Sequence, residues 1–199
     1  MLVLLSLVHA ELPPPDYRDQ VLAQVEATAD QLLAEGHAPQ ALELIRAFRD
    51  QVEDDPRLVY EEGLALRLLG EDKEAERRLR QAVEQDPSLF YAWYDLGELE
   101  LARGELALAE EAFQHASAGS EDHPNGWAGP FRLAELAGRR GDPIGFDEHL
   151  REAVHRGFRF ATVTQDPTWT GFLRDPALEE VLRRHLVVYG EEQLLEHWQ

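Results

Sequence analysis

The sequence predicts an all-α protein: a right-handed solenoid of about four helical hairpins, closed by a C-terminal helical segment. Glycine recurs at a fixed step of 34 residues, at Gly36, Gly70 and Gly104. Alanine repeats the same step, at Ala41, Ala75 and Ala109. The segments between the glycines read as amphipathic runs with apolar residues at helical spacing. A constant period of this length is typical of stacked helical hairpins and not of a single globular core.

Residues 1–15 read as a possible signal peptide followed by a proline-rich linker. The apolar run Leu2 to Val8 is far shorter than the ~20 residues of a membrane-spanning helix. Val8-His9-Ala10 has the small-residue spacing of a signal-peptidase site, but no Lys or Arg precedes the apolar run. The alternative is an N-terminal helix or strand packed on the solenoid. We favour export, periplasmic or extracellular, over a cytoplasmic location.

The solenoid is expected to span residues 16–156, and its first hairpin begins at Asp16. Asp16 is a plausible N-cap for a helix that runs to about Glu35. That helix would bury one face, formed by Val21, Val25, Thr28 and Leu32. Pro39, at a position where the first turn of a helix tolerates proline, opens the second helix of the pair.

The second and third hairpins are predicted at about residues 56–85 and 88–118. Small residues would let the paired helices approach closely, with Ala29 facing Ala41, Gly63 facing Ala75 and Gly97 facing Ala109. The glycines at 36, 70 and 104 would end the first helix of each pair, because glycine enters the left-handed conformation without steric cost. Glu62 and Glu100 stand at positions that are usually apolar in repeats of this kind, so we expect looser packing contacts around them.

The fourth hairpin is predicted at about residues 127–155, and it departs from the period. Gly104 and Gly141 are 37 residues apart, and Phe146 occupies the position at which alanine recurs elsewhere. Gly145 lies beside it. Either the small contact has shifted by one residue, or this hairpin is splayed.

The period stops near Gly157, and residues 157–199 are expected to form a helical capping segment. Asp166-Pro167 and Asp175-Pro176 are each a good helix N-terminus. We expect helices at about 176–187 and 191–198. Solenoids need a terminal element that covers the last apolar face, and this segment is the simplest candidate.

The repeating residues resemble the tetratricopeptide-repeat family. The third unit carries the likeness in Trp93, Leu96, Gly97, Ala109, Phe113 and Ala116. The second unit carries it in Gly63, Leu66, Ala75, Leu79, Ala82 and Pro87. The likeness covers roughly Leu22 to Gly157. It implies a non-enzymatic scaffold that binds other proteins and needs no cofactor.

The composition narrows the class of partner. The formal net charge is −20, and residues 1–126 hold 27 acidic and 10 basic side chains. So acidic a surface repels phosphate backbones and anionic lipid, which argues against nucleic-acid binding. A basic protein or peptide is the natural complement, although high charge also serves solubility. The chain has no cysteine, so it has neither a disulfide framework nor a thiolate metal site.

The first helix of each hairpin is expected to line the inner groove, and the candidate binding residues lie on these helices. Tyr60 and Tyr94 share one phase of the repeat, and Phe131 takes the matching place in the fourth hairpin. The flanking residues are Leu64, Arg67, Tyr91, Glu98, Glu135 and Arg139. An aromatic column of this kind suits an extended or helical peptide with apolar anchors. Equally, the rings could pack on the neighbouring hairpin and be partly buried.

The sequence contains no persuasive catalytic or metal site. Glu152 and His155 have the spacing of a carboxylate-bridged metal site, but the second copy that such a site needs is not evident. The carboxylate clamp of the family is lacking, since Glu26, Asp30, Asp95 and Ala128 stand among its places. We therefore expect binding of a protein or peptide in the groove. The alternative is a structural module that self-associates or joins a larger envelope complex, through its convex face or its tail.

Overall fold

A computed structural model of the protein describes residues 15–52 and 55–196, and this part of the chain is helical without any strand. The possible signal peptide and its linker lie almost wholly outside the described residues. The α-helices are α1 (Pro15–Ala34), α2 (Ala38–Val52), α3 (Pro56–Leu68), α4 (Asp72–Gln85), α5 (Phe90–Ala102), α6 (Leu106–Gly119), α7 (Ala128–Arg139), α8 (Pro143–His155), α9 (Pro167–Phe172) and α10 (Pro176–Val188). Short 3₁₀ helices occupy Phe160–Thr162 and Glu192–Glu196. The predicted all-α architecture of consecutive hairpins is confirmed.

The chain divides into two compact units, one ending at Leu99 and the other beginning at Glu100. Unit 1 holds the hairpins α1–α2 and α3–α4 and most of α5. Unit 2 holds α6, the hairpin α7–α8 and the C-terminal segment. Each unit has its own buried apolar side chains.

The repeated glycines end the first helix of each hairpin, as the sequence predicted. Gly36, Gly70 and Gly104 have φ angles of 79°, 75° and 78°. At the second of these turns the Gly70 N–H donates to Arg67 O, and the next N–H donates to Leu66 O at 2.9 Å. This pair of bonds satisfies carbonyls that the end of a helix would otherwise leave unpaired.

Aspartate followed by proline begins four of the helices. Asp55, Asp142, Asp166 and Asp175 each accept hydrogen bonds from backbone N–H groups of the first turn. The predicted starts at Asp166 and Asp175 are therefore confirmed. At the other end of the chain, α1 already includes Pro15 and Asp16, so Asp16 lies in the first turn and not at the cap.

Val21 and Val25, two of the four residues predicted for the buried face of α1, are buried, and the other two buried positions lie one residue further along. Leu22, Val25, Ala29 and Leu33 are buried, whereas Thr28 and Leu32 are partly exposed. The Thr28 hydroxyl donates to Gln24 O in the preceding turn, so its polar group needs no partner from the core.

Helices α3 and α4 approach each other closely where Gly63 meets Leu79, and the facing of Gly63 with Ala75 stays a prediction. A Cβ atom built on Gly63 would lie 3.0 Å from both Cγ and Cδ2 of Leu79. Ala75 is fully buried nearby on α4. Because Gly63 has no side chain, it leaves room for the side chain of Leu79. The paired contact of Gly97 with Ala109 stays a prediction.

From its sequence position we expected Glu62 to loosen the packing of unit 1, but the structure shows it in a buried ion cluster. Its carboxylate is fully buried and accepts from Arg46 Nε at 2.9 Å and from Arg49. Arg78 Nε lies 3.1 Å from its second oxygen. Three guanidinium groups from α2 and α4 thus surround one carboxylate of α3, and an ion cluster takes the place of an apolar contact.

In unit 2 the small contact of the fourth hairpin has shifted by one residue. A Cβ atom on Gly145 would lie 3.4 Å from the Ala137 Cβ, which places the α7–α8 contact there. Phe146 instead joins a buried aromatic cluster, 5.8 Å from Trp169 and 5.3 Å from Phe172 between ring centroids. The C-terminal segment therefore packs directly on the last hairpin.

Candidate functional site

The nine candidate groove residues are divided between the two units. Six of them lie in unit 1, and we call these the unit 1 wall: Tyr60, Leu64, Arg67, Tyr91, Tyr94 and Glu98. Phe131, Glu135 and Arg139 lie on α7 in unit 2. Whether the two sets form one continuous groove stays a prediction.

Tyr60 is a buried link between α3 and α5. Its hydroxyl donates to Asp95 Oδ2 at 2.9 Å, and its ring meets the Tyr91 ring edge-on with centroids 4.6 Å apart. Only 9% of the residue is exposed. Burial, together with the Asp95 carboxylate, raises the pKa of Tyr60 far above its usual range. Tyr60 therefore supports the other side chains of the wall and exposes little surface of its own.

Asp95 connects the buried tyrosine with a charged residue of the wall. Its second oxygen lies 2.9 Å from an Arg67 guanidinium nitrogen. Burial raises the pKa of Asp95, while Arg67 and the Tyr60 hydroxyl act to lower it. Sequence reasoning missed this role for Asp95. The available signal was the buried tyrosine itself, whose hydroxyl needs an acceptor when it leaves water.

The side chains of the wall that reach solvent are aromatic, apolar and charged. Leu64, Tyr91, Tyr94 and Glu98 are each partly exposed, and so is Arg67. Burial, followed by the nearby carboxylates of Glu26 and Glu61, raises the pKa of Tyr91 to about 12. Tyr91 is therefore a neutral hydrogen-bonding aromatic at physiological pH.

A buried carboxyl group of α3, which the sequence analysis did not single out, interacts with carboxylates of α1. Glu61 is only 2% exposed, and the exposed Asp30 of α1 acts on it electrostatically. Burial, followed by Asp30, raises the pKa of Glu61 to about 9. The sequence contained one indication that Glu61 is buried: Glu61 and Glu62 interrupt an otherwise apolar stretch of α3.

In unit 2, two of the three predicted groove residues serve the packing of their own unit. Phe131 is 9% exposed and stacks on Trp169, with ring centroids 5.0 Å apart and planes inclined by 9°. Glu135 is buried between Arg132 at 2.7 Å and Arg139 at 2.6 Å. Arg139 is exposed and is the member of this set that solvent reaches most easily.

A small cavity of about 110 Å³ lies between α8 and α10 of unit 2. Its lining residues are Asp147, Arg151, Arg184, His185, Val188 and Tyr189. Asp147 Oδ1 lies 2.7 Å from His185 Nε2 and 2.8 Å from an Arg184 nitrogen, and its other oxygen pairs with Arg151. The carboxylate of Asp147 thus joins the last hairpin to α10 by charge as well as by packing.

In the described parts of the chain, no helix combines the length and the apolar character that a membrane-spanning segment requires. Within residues 15–52 and 55–196, no three or more His, Asp or Glu side chains are grouped so that they could hold a metal ion.

A model of the tetratricopeptide repeat matches residues 27–88 and, again, residues 73–124. With the 34-residue period, the glycine-ended helices and the consecutive hairpins, this match identifies the chain as a tetratricopeptide-repeat protein. The fold and family together define a protein–protein interaction scaffold.

Solved structures with the same fold include MamA and TPR-like repeats from Podosopora anserina. A crystal structure of MamA matches with a TM-score of 0.63 at 16% identity, covering 85% of this chain and 93% of that one. MamA from Desulfovibrio magneticus RS-1 matches with a TM-score of 0.64 at 17% identity, covering 86% and 94%. The nearly identical TPR-like repeats of a kinesin light chain from Podosopora anserina give 0.57 at 19% identity, covering 89% and 92%. No curated protein matches the sequence.

Proposed function

We propose that this protein is a non-enzymatic scaffold that binds a peptide segment of a partner protein on the unit 1 wall. The observation that carries the proposal is the set of partly exposed side chains held in place by a buried hydrogen-bonded core. Tyr91 rests on Tyr60, and Arg67 is fixed by Asp95, which also accepts from Tyr60. Side chains fixed in this way lose little further freedom on binding.

The chemistry of the wall favours a peptide with apolar anchors and basic residues. Tyr91, Tyr94 and Leu64 provide partly exposed apolar surface. Among the side chains that reach solvent in the same region of α1, α3 and α5, the carboxylates Glu26, Asp30 and Glu98 outnumber the arginines Arg57 and Arg67. Aromatic side chains and opposite charge are the usual sources of binding energy and of orientation at such surfaces.

Within unit 2, Arg139 is the exposed member of the predicted set, and Glu135 orients it. Phe131 would act there as a support, because its ring is stacked within the core of unit 2. In this proposal the exposed contacts are therefore made mainly by unit 1.

The test is a peptide array probed with wild-type protein and with Tyr94→Ala. We expect wild type to select peptides that combine an aromatic or aliphatic residue with Lys or Arg, and Tyr94→Ala to lose most of this signal. Tyr189→Ala is the control, since it removes an exposed tyrosine just after α10, outside the wall. Equal binding by all three proteins would contradict recognition on the wall.

Self-association is the second candidate function, and exposed apolar side chains at the end of α10 favour it. Val187 and Val188 are 61% and 67% exposed and lie next to the exposed Tyr189. A second copy of the chain could cover this patch. Sedimentation velocity over a range of concentrations tests for self-association, in wild type and in Val188→Glu, which places a charge in the patch. A concentration-dependent oligomer that Val188→Glu abolishes would support assembly, and a wild-type monomer throughout would exclude it.

A further inference from the structure

The cavity between α8 and α10 of unit 2 has the size of a site for one small chemical group. Its volume of about 110 Å³ is well below the ~300–1,000 Å³ of sites that take drug-sized ligands. Arg151, Arg184, Val188 and Tyr189 on its lining are exposed, so the cavity opens to solvent. His185 on the same lining is only 5% exposed. A group the size of a carboxylate can therefore enter the cavity from outside and reach its buried side.

Positive charge exceeds negative charge on the lining of this cavity. Asp147 is its one carboxylate, against the two guanidinium groups of Arg151 and Arg184. Burial acts to raise the pKa of Asp147, but hydrogen bonds from His185 and Arg184 lower it overall, so Asp147 is ionised at neutral pH. Burial lowers the pKa of His185, so its imidazole is neutral there. Two arginines less one aspartate leave a net positive charge, although the chain holds 39 acidic and only 19 basic side chains.

Asp147 leaves much of the hydrogen-bonding capacity of the two arginines unused. Its Oδ1 lies 2.8 Å from an Arg184 nitrogen, and its Oδ2 lies 2.5 Å from an Arg151 nitrogen. Among the described residues, no other carboxylate pairs with either arginine. A guanidinium group carries several N–H donors in a planar fork, so each arginine has donors left for a second carboxylate. Because both bind the two oxygens of one aspartate, they can reach the same ligand.

The buried side of the cavity holds both arginines in place. With Asp147 ionised, His185 Nε2–H donates to Oδ1 of Asp147 at 2.7 Å. The His185 ring stacks on the ring of Tyr189, with centroids 5.8 Å apart and planes inclined by 13°. Long side chains that a common carboxylate already fixes lose less freedom when a ligand binds. Asp147 and His185 are therefore positioning residues, and the ligand contacts fall to the arginines and Val188.

We propose that this cavity is a binding site for a carboxylate attached to an apolar group, and that Arg151 and Arg184 together bind the carboxylate. Paired guanidinium N–H groups match the two oxygens of a carboxylate, and such charge-assisted bonds are among the stronger hydrogen bonds of proteins. Val188, which is 67% exposed on the same lining, contacts the apolar part of the ligand. The site belongs to unit 2 and takes an anion, so the inference goes beyond the function proposed for the unit 1 wall.

The test is a titration followed by ¹H–¹⁵N NMR of the Val188 and Tyr189 backbone amides at constant ionic strength. The probes are isovalerate and isovaleramide, which share their shape and differ in charge. We expect isovalerate to shift these amides saturably, and isovaleramide to bind roughly tenfold more weakly or not at all. Arg184→Gln, which removes one proposed contact, should weaken isovalerate binding by roughly tenfold.

Arg183→Gln is the matched control for Arg184→Gln. The two arginines are neighbours on α10, and their side chains are 53% and 52% exposed. Arg183 pairs with Glu179 at 2.7 Å and does not line the cavity. Both variants lose the same charge, so an effect of net charge alone would appear equally in both. We expect Arg183→Gln to bind isovalerate as wild type does, and circular dichroism to show both variants folded.

Two peptides distinguish the possible sources of the carboxylate. In acetyl-Leu-Glu-Leu-amide it belongs to a side chain between apolar neighbours, and acetyl-Leu-Gln-Leu-amide is the uncharged counterpart. Tighter binding of the glutamate peptide than of isovalerate would support an acidic side chain of a protein as the ligand. Tighter binding of isovalerate would support a free small acid.

Several outcomes would overturn the carboxylate site. They are equal shifts with isovalerate and isovaleramide, no shift with any probe, and equal weakening in Arg183→Gln and Arg184→Gln. The ion pairs of Asp147 would then serve only to join α8 to α10. The peptide array could still succeed in that case, since it tests Tyr94 in unit 1, and a failed array would leave the isovalerate titration unaffected.

Discussion

Phe131 and Trp169 lie face to face in unit 2, with ring centroids 5.0 Å apart and planes inclined by 9°. One ring belongs to α7 in the last hairpin and the other to α9 in the C-terminal segment. The indole is fully buried, and Phe158 lies within 6.0 Å of it. The C-terminal segment is therefore held to the last hairpin by a stacked aromatic core.

We expect Trp169→Ala to destabilise the protein by about 3–5 kcal/mol, because it removes the centre of this cluster and leaves a cavity. Trp169→Phe should cost much less, since it keeps a ring and removes an indole N–H that has no partner among the described residues. Urea unfolding followed by circular dichroism measures both. Equal losses for the two variants would contradict a packing role for the ring.

Substitution of Glu62 tests whether the buried ion cluster stabilises unit 1. Removal of its carboxylate in Glu62→Ala leaves Arg46, Arg49 and Arg78 together without their common counter-ion. Breaking a buried pair from one side costs about 3–5 kcal/mol, and we expect a loss of that order in thermal or urea unfolding. Glu74→Ala removes a more exposed partner of Arg77 and Arg78 and should leave the unfolding midpoint nearly unchanged.

Gly63 tests the close approach of α3 to α4. We expect Gly63→Leu to destabilise the protein by about 1–3 kcal/mol, because the new side chain would overlap Leu79. Gly171→Ala is the control, since nothing lies within 4 Å of a Cβ atom at that position. Chemical denaturation of both variants gives the comparison, and a Gly63→Leu protein as stable as wild type would mean that the helices are not in close contact there.

Glu61 predicts how stability varies with pH. Its pKa in the folded protein, about 9, is raised above the ordinary value of 4.5. Between these values the folded state binds a proton that the unfolded state has lost, so the contribution of Glu61 to stability falls as pH rises. The slope for one proton is about 1.4 kcal/mol per pH unit. Unfolding free energies of wild type and Glu61→Gln from pH 5 to 9 should diverge in this direction, and parallel curves would contradict it.

Much of the architecture could be predicted from local sequence. Gly36, Gly70 and Gly104 end helices because the left-handed conformation is a property of the residue itself. Asp166 and Asp175 begin helices because their carboxylates reach the N–H groups two and three residues later. The 34-residue step then places these signals in hairpins, and the family assignment follows.

The candidate site could be predicted only in part, because burial and partners depend on contacts distant in sequence. The periodicity that selected Tyr60 and Phe131 is the same for an exposed anchor and for a buried support, and both rings are buried. Asp95 and Glu61 were missed as buried side chains, since on an acidic chain nothing local distinguishes them from solvated carboxylates. Their roles come from Tyr60 and Asp30, which lie 35 and 31 residues away in the sequence.

The sequence by itself determined that this chain is a stack of helical hairpins, that glycines end the first helices of the hairpins and that Asp166 and Asp175 begin helices, since glycine and aspartate–proline act over a few residues. Only the tertiary structure decided which acidic groups are buried and what they touch. The pKa of Glu61 and the ion cluster at Glu62 depend on desolvation and on distances between separate helices. Those quantities are set when the hairpins pack.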